Sequence, residues 1–321
     1  YTREEMTDGR EKITSPEGEV FFVRTLEKPK DPAIKEIHDL MIEEFGEGEA
    51  EDLEWIRTSI KEKLNDYHVI ESSDGKLIGF TNSQYLELEP KPRKEYPHTS
   101  ASEYLEMEPK LGNEQEGAKE SFVFLCYVVT AEEARGKGIG TELYRKFYED
   151  SLKKASANGH EIKGVIDEAV SSVEVFTNKM GRDRMYFEDR SGNIIEVPYM
   201  CPPVNMDSET GKPPEGEQGE AYPEHLMIGL TNGAKELNAE DVLRMVKRIY
   251  MEYVADEENY NSKEAFQTAW DHDMVILKEL EKSLLKAKDG RIFLMSADER
   301  EVKKTELASQ GKKLIEVETE E

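Results

Sequence analysis

The chain has 321 residues, of which 70 are Asp or Glu and 43 are Lys or Arg, so its formal net charge at pH 7 is −27. Such a surface repels the phosphates of nucleic acids and of anionic membranes, and we expect neither as a partner. It attracts cationic partners, although acidity of this kind also serves solubility alone. Hydrophobic residues make up 37% of the chain, which is enough to build a core.

The two cysteines, Cys126 and Cys201, form neither a disulfide framework nor a C-x-x-C metal pattern, so we expect a reducing, cytoplasmic location. The six histidines show no metal-binding spacing, and we expect no metal. No apolar run reaches the ~20 residues that a membrane span needs, and no signal peptide is predicted.

Composition along the chain divides it into four regions. We expect an N-terminal extension at 1–17, a main domain at 18–201, a linker at 202–222 that is rich in Pro, Gly and Glu, and a C-terminal α+β region at 223–321. Residues 88–119 hold four prolines and little apolar periodicity, which indicates an inserted loop in the main domain. The first C-terminal strand, "HLMIGL", completes the main sheet in one interpretation; in the other, this region is a truncated second copy.

The first half of the chain predicts alternating strands and helices. "EVFFVRTLE" reads as a strand, and a helix follows with Asp31 as its cap and Pro32 at its first position. Apolar spacing predicts a second helix over 51–64, a hairpin with its turn at 72–76, and a strand over 121–129.

The second half continues the pattern. A helix follows a glycine-rich loop, with five residues expected to face inward: Ile139, Leu143, Tyr144, Phe147 and Leu152. We then expect a strand ending near Asp167, a short helix over 171–181 and two strands around Ser191 and Gly192. After the linker come a strand, two helices and two further strands, "RIFLMSA" and "KKLIEVE".

The loop "ARGKGIGT" is the strongest signal for chemistry. A P-loop pattern does not fit it, and a dinucleotide-binding pattern would need a glycine where Thr141 stands. A third pattern, R-x-x-G-x-G between a strand and a helix, is met by Arg135, Gly138 and Gly140. Backbone amides of residues 136–141 would meet a diphosphate there, because glycine allows a close approach and a helix N-terminus favours an anion.

This stretch resembles the acetyl-CoA-binding motif of the GNAT superfamily of N-acetyltransferases, and the resemblance extends over residues 18–201. It implies an α/β fold with a mixed, mostly antiparallel central sheet, flanked by helices and splayed at the acetyl-CoA site. It also implies acetyl-CoA as cosubstrate, with a diphosphate-binding and a pantetheine-binding segment. The residues concerned are Arg135, Gly136, Lys137, Gly138, Ile139, Gly140 and Thr141 for the diphosphate, and Tyr127, Val128 and Val129 for pantetheine and the thioester.

By the same resemblance, an amine attacks the thioester directly, so a base must take a proton and an acid must protonate the departing thiolate. The family's second motif often ends in F-Y-x-K-x-G-F, whereas this chain has "FTNKMGR", with Thr177 in place of the tyrosine and Arg182 in place of the last aromatic residue. Tyr186 is therefore a candidate acid, with an ordinary strand aromatic as the equal alternative.

The candidate bases are Asp167, Glu168 and Glu120, each of which also fits a solvated or capping role. Cys126 as a covalent nucleophile is disfavoured, since it lies in an apolar strand with no evident histidine partner.

Two classes of function remain open. The first is an N-acetyltransferase that acts through a ternary complex on a primary amine of a small-molecule or peptide acceptor, small or cationic in character. The second is a GNAT-like module that binds acyl-CoA or a protein partner with little turnover. The C-terminal region would either cap the acceptor site or form a homodimer interface, and the sequence leaves that choice open.

Overall fold

The computed structural model describes residues 1–46, 50–88, 119–169, 174–202, 206–213, 221–253 and 260–319. Nearly all of the predicted inserted loop, and part of the predicted linker, lie outside these residues. The chain divides into two compact units. The N-terminal unit comprises residues 1–85 and 123–159, and the C-terminal unit comprises residues 86–122 and 160–321. Neither unit begins or ends within 202–222.

The N-terminal unit is built on strands that follow one another in sequence order, from β1 to β6. Its strands are β1 Thr2–Glu5, β2 Glu11–Thr14, β3 Val20–Thr25, β4 Asp66–Ser72, β5 Leu77–Glu87 and β6 Lys119–Thr130. Its helices are α1 Ala33–Phe45, α2 Leu53–Glu62 and α3 Ile139–Asn158. The pairs from β1 to β5 are antiparallel, and the end of β5 and the start of β6 belong to the C-terminal unit.

Local side-chain chemistry sets where the first two helices begin. Asp31 accepts a hydrogen bond from the backbone N–H of Ala33 at 3.0 Å, as its predicted capping role requires. Asp52 caps α2 by accepting from the N–H groups of Glu54 and Trp55 at 2.8 and 3.3 Å. The hairpin β1–β2 was not predicted; it lies in the segment interpreted as an extension and pairs with β3.

Both faces of this sheet are covered by helices. On one face, α1 and α2 bury an apolar cluster that includes Ile34, Ile37, Met41, Ile56, Val69 and Phe80. On the other face, Ile139 and Leu143 of α3 pack against Phe21 and Ile70. The prediction that Leu152 faces inward is wrong: its side chain is 41% exposed, and Ser151 and Ala155 take the buried positions of that part of α3.

The C-terminal unit has more and shorter strands. These are β7 His160–Ala169, β8 Asp183–Glu188, β9 Ile194–Glu196, β10 Met200–Cys201, β11 Tyr222–Pro223, β12 His225–Leu230, β13 Glu236–Asn238, β14 Arg291–Met295 and β15 Leu314–Ile315. Its helices are α4 Glu174–Lys179, α5 Ala239–Tyr253, α6 Lys263–Leu284 and α7 Ala297–Ser309.

The main sheet of this unit runs in the order β7-β12-β8-β14-β13, with antiparallel pairing throughout. Strand β12 lies between β7 and β8, so that Met227 stands opposite Asp167 on one side and Arg184 on the other. Strand β9 pairs with β8, and β15 joins β9 in parallel. The strand "HLMIGL" is thus a central strand of this sheet.

Helix α7 was missed by the sequence analysis, which expected two consecutive strands at the end of the chain. Ser296 and Glu299 form a capping box that starts this helix. With α7 in place, the element order no longer repeats that of residues 19–83, and the truncated-copy interpretation loses its basis.

The predicted fold class is confirmed: the protein is a mixed α/β structure whose mostly antiparallel sheets are flanked by helices. The splay of the strands at the acetyl-CoA site stays a prediction. Within the part of the chain that is described, no helix combines the length and apolar character that a membrane crossing requires.

Candidate active site

The glycine loop joins β6 to α3 in the N-terminal unit. A single 3-10 turn, Glu132–Ala134, follows β6, and α3 begins at Ile139. Gly136 and Gly138 have φ values of +76° and +74°, in the left-handed region that other residues adopt at a cost. The two glycines are therefore required by the path of the backbone as well as by any ligand.

The start of α3 is open to an anion. No described side chain caps Gly138, so the first N–H groups of the helix are left for another partner. A Cβ on Gly136 would meet no atom within 4 Å, whereas a Cβ on Gly138 would lie 3.3 Å from the ring of Tyr1. Ile139 and Ala134 are buried and anchor the loop to the sheet. These features fit a diphosphate bound by backbone amides.

The two cations of the loop already have acidic partners. Arg135 donates from Nε to the carbonyl oxygen of Thr130 at 3.2 Å and forms an ion pair with Glu44 of α1. Lys137 pairs with Glu19 at 3.1 Å, and its carbonyl oxygen accepts from the hydroxyl of Tyr1. Exposed pairs of this kind contribute little to stability, so a phosphate can replace the carboxylates at small cost.

The strand segment expected to hold pantetheine lies just before this loop. Val129 is buried, and the backbone N–H of Ala131 donates to Ile78 at 3.0 Å, which fixes the end of β6 against β5. The ring of Tyr127 lies 5.6 Å from that of Phe45, at an interplanar angle of 50°. Tyr127 and Val129 both pack with the apolar cluster under α1 and α2.

A polar cluster that the sequence analysis missed lies on the same face. It consists of Glu51, Tyr67 and Asn82. Tyr67 donates its hydroxyl proton to Oε2 of Glu51 at 2.7 Å, and Asn82 donates from Nδ2 to Oε1 at 2.8 Å. Burial raises the pKa of Glu51 to about 7, although both of these hydrogen bonds act to lower it. A carboxylate with that pKa exchanges protons near neutral pH.

The predicted bases Asp167 and Glu168 both lie at the end of β7, and each has a close partner in the C-terminal unit. Asp167 accepts from Nε of Arg182 at 2.7 Å, and both side chains are buried. Burial raises the pKa of Asp167, and the charge of Arg182 opposes that rise. Glu168 accepts from the hydroxyl of Tyr199, and its Oε2 lies 4.0 Å from Sγ of Cys201.

The remaining catalytic candidates are also paired. Glu120, near the start of β6, forms an ion pair with Lys163 at 3.1 Å. Tyr186 is fully buried; its hydroxyl donates to Glu316 at 3.3 Å and accepts from Nη1 of Arg300 at 3.3 Å. Burial raises the pKa of Tyr186 well above its ordinary value.

The predicted residues thus form two groups. Arg135 to Thr141 are contiguous on the loop and helix of the N-terminal unit, whereas Asp167, Glu168 and Tyr186 belong to the C-terminal unit. Within that unit, strand β12 separates Asp167 from the strand that carries Tyr186. Two inter-strand spacings amount to about 10 Å, so these two side chains do not form an acid–base pair. Their catalytic roles stay predictions.

One group among the described residues has atoms placed to hold a metal ion. Glu168, Cys201 and Glu224 offer ligand atoms that all lie within 4.8 Å of one another. No sequence pattern indicated this grouping, because the three residues are far apart in the chain.

The glycine loop lies within the region that matches a known protein family. Residues 34–181 match the family model described as "Acetyltransferase (GNAT) family". No match was found among curated proteins. The family match covers α1, the glycine loop, α3 and the first strand of the C-terminal unit.

Several solved structures match this chain at low similarity. Arabidopsis thaliana NAA60 in complex with a bisubstrate analogue has 11% identity, 66% of this chain and 99% of that chain covered, and a TM-score of 0.40. An aminoglycoside acetyltransferase from an uncultured soil metagenomic sample, in complex with sisomicin, is 14% identical; the match covers 50% of this chain and 84% of that chain, with a TM-score of 0.34. A putative N-acetyltransferase from Lactobacillus plantarum is 12% identical; the match covers 65% of this chain and 97% of that chain, with a TM-score of 0.34. The segment of residues 34–181, which contains the glycine loop, is thus similar to the acetyltransferase (GNAT) family of acyltransferases.

Proposed function

We propose that the protein is an N-acetyltransferase that moves the acetyl group of acetyl-CoA to a primary amine in a ternary complex. The observation that carries the proposal is the backbone of residues 135–141. Two glycines with positive φ lead into a helix N-terminus that no described side chain caps. The loop and the strand before it lie in the region that matches the GNAT family.

The diphosphate of CoA would be bound by the amides of residues 136–141, with Arg135 and Lys137 adding positive charge. In a chain with a net charge of −27, these two cations matter, because the surrounding surface opposes an anionic ligand. Pantetheine and the thioester would lie along Tyr127, Val128 and Val129. The thioester supplies the activated acetyl group, and the protein supplies position, a proton acceptor and an anion site.

We propose a small or cationic acceptor amine. An alkylamine is protonated at neutral pH, so an acceptor arrives as a cation, and an acidic surface favours its approach. One of the matched structures is described as an aminoglycoside acetyltransferase in complex with sisomicin, and its low similarity does not select an acceptor for this chain.

One observation favours the second function, an acyl-CoA-binding module with little turnover. Thr177 replaces the tyrosine that often protonates the leaving thiolate in this family. Its hydroxyl is buried and donates to the carbonyl oxygen of Glu174 at 2.9 Å. If no other group protonates the thiolate, the protein would bind acetyl-CoA but transfer the acetyl group slowly.

The two functions differ in a direct assay. Acetyl-CoA binding is measured by calorimetry, and release of free thiol is then followed with polyamines, aminoglycosides, amino acids and lysine peptides. We expect binding in the micromolar range and thiol release that depends on the amine, with a matching mass increase of one acetyl group. Binding without any amine-dependent release would support the module instead. No binding at millimolar acetyl-CoA would contradict both.

A further inference from the structure

The polar cluster of Glu51, Tyr67 and Asn82 is unusual in how its carboxylate is held. Both oxygens of Glu51 accept from neutral donors, and Asn82 also donates to the Tyr67 hydroxyl at 3.2 Å. Ser59 of α2 adds a longer contact to that hydroxyl, at 3.4 Å. In the described part of the chain, no cation forms an ion pair with Glu51. Among the described residues, the carboxylate is therefore oriented by neutral donors and not by a positive charge.

A buried carboxylate on the other face of this sheet, that of Glu142, is arranged differently. Glu142 of α3 is buried but receives two hydrogen bonds from Arg3, at 2.7 and 3.0 Å, and one from Arg145. Burial alone would raise the pKa of Glu142, yet these cations hold it below its usual range. Glu142 is thus kept charged as a structural ion, whereas Glu51 is kept able to take up a proton.

The position of the cluster points to the acceptor side of the site. Tyr67 and Phe80 belong to the apolar cluster under α1 and α2, and Tyr127 and Val129 of β6 pack in that same cluster. These two β6 residues are among the three proposed to lie along pantetheine and the thioester. Glu51 itself keeps part of its surface accessible, at the segment that leads into α2. Through Tyr67, Glu51 is thus connected to the cluster that contains Tyr127 and Val129 of β6.

We propose that Glu51 is the catalytic base of the acetyl transfer, held in position by Tyr67 and Asn82. A carboxylate oxygen of Glu51 takes one proton from the acceptor ammonium group. The nitrogen lone pair then forms the C–N bond to the acetyl carbonyl carbon as the C–S bond breaks. CoA leaves as a thiolate, which takes the second proton that the nitrogen loses as the amide forms, and Glu51 returns the first proton to solvent. The products are an acetamide and free CoA.

This inference rests on the proposed function and adds a residue to it. The ordinary glutamate pKa is 4.5, and that of Glu51 is about 7, which makes it a proton acceptor stronger by about 300-fold. A base of this strength is still ionised in half of the molecules at pH 7. Tyr67 and Asn82 act as positioning residues, because they touch Glu51 and not the reacting atoms.

The test is the pH dependence of kcat/KM in the full-length protein, with an amine that the wild-type protein acetylates. For the wild type, we expect log kcat/KM to rise with pH and to level off near pH 7. For Glu51→Gln, we expect kcat/KM at pH 7.5 to fall by about 10²- to 10⁴-fold and to increase steadily up to pH 9.5 without that break. Acetyl-CoA binding by calorimetry should stay unchanged.

Two further variants sharpen the result. Tyr67→Phe removes a donor that favours the charged carboxylate, so the break in the profile should move to higher pH. Glu54→Gln removes an exposed acid two residues into α2, which pairs with Arg57, and should leave both rate and profile unchanged. The Tyr67 variant also serves if Glu51→Gln does not fold.

The inference is overturned if Glu51→Gln keeps its rate within twofold and retains the break near pH 7, or if Tyr67→Phe leaves the break in place. A wild-type protein that binds acetyl-CoA but acetylates no amine would instead overturn the proposed function. The two failures are therefore distinguishable.

Discussion

Asp167 and Arg182 form a buried ion pair, in which Nε of the arginine donates to Oδ1 of the aspartate at 2.7 Å. One of these residues is a predicted base, and the other stands where the family often has an aromatic side chain. Their pairing explains the departure from the family pattern, because the arginine supplies the positive charge that a buried aspartate needs.

We predict that Asp167→Asn destabilises the protein by about 3–5 kcal/mol, because it leaves the buried guanidinium of Arg182 without its charge partner. Urea unfolding measures this effect. Glu161→Gln on the same strand is the control; Glu161 is exposed, and the change should cost less than about 0.5 kcal/mol. An Asp167→Asn protein of unchanged stability but lost activity would instead support the aspartate as a base.

We predict that Gly138→Val weakens acetyl-CoA binding by about tenfold or more, equivalent to about 1.4 kcal/mol. Its φ of +74° disfavours a branched side chain, and that side chain would occupy the space before the helix. Calorimetry gives the affinity. The control is Gly159→Val at the other end of α3, where φ is +70° and a Cβ would meet nothing within 4 Å. This variant places a side chain at a similar φ about 30 Å along the helix from Gly138, and it should leave acetyl-CoA binding unchanged.

We predict that Glu44→Gln tightens acetyl-CoA binding about two- to fivefold in low salt, because it frees Arg135 from a competing carboxylate. The gain should disappear in 0.5 M salt, where exposed charges are screened. Glu43→Gln removes one negative charge from the neighbouring position of α1 and is the matched control. Equal effects of the two variants would mean that net charge, and not the Arg135 contact, controls affinity.

We predict that Asp273 makes the protein less stable as pH rises. This side chain of α6 is buried, and burial raises its pKa from 3.8 to about 6, with His272 opposing the rise. Because the folded state binds the proton more tightly than the unfolded state, stability falls between about pH 4 and pH 6, by about 3 kcal/mol.

Asp273→Asn should remove that pH dependence and stabilise the protein at pH 7.5, as seen from urea unfolding at several pH values. Asp271→Asn, an exposed position on the same helix, should leave the slope unchanged. A wild-type slope that persists in Asp273→Asn would assign the pH dependence to other groups.

The elements that the sequence predicted correctly have strong local signals. Asp31 and Pro32 mark the start of α1, and the glycines fix the loop before α3. Helix α7 was missed because only Arg300 and Leu307 of its residues are buried, so its sequence has almost no apolar periodicity to detect. Leu152 was misplaced because apolar spacing predicts burial only where a neighbouring element covers that face.

The polar cluster shows a different limit of sequence reasoning. Three consecutive polar residues, Thr81, Asn82 and Ser83, lie buried within β5, and their presence in an otherwise apolar strand was a usable signal. Glu51 gave none, since it is one acid among several before α2. Its raised pKa comes from burial, and its orientation comes from Tyr67 and Asn82, which are 16 and 31 residues away in sequence.

The central place of β12 has a consequence for how the protein is made. Strands β7 and β8 leave the ribosome about 40 or more residues before the strand that joins them, at 225–230. Until then, the edges of β7 and β8 that will pair with β12 have unpaired backbone N–H and C=O groups. Such edges can pair with strands of other chains. A fragment that stops at residue 201 lacks β12 and keeps these two strand edges unpaired, so its expression should give aggregates.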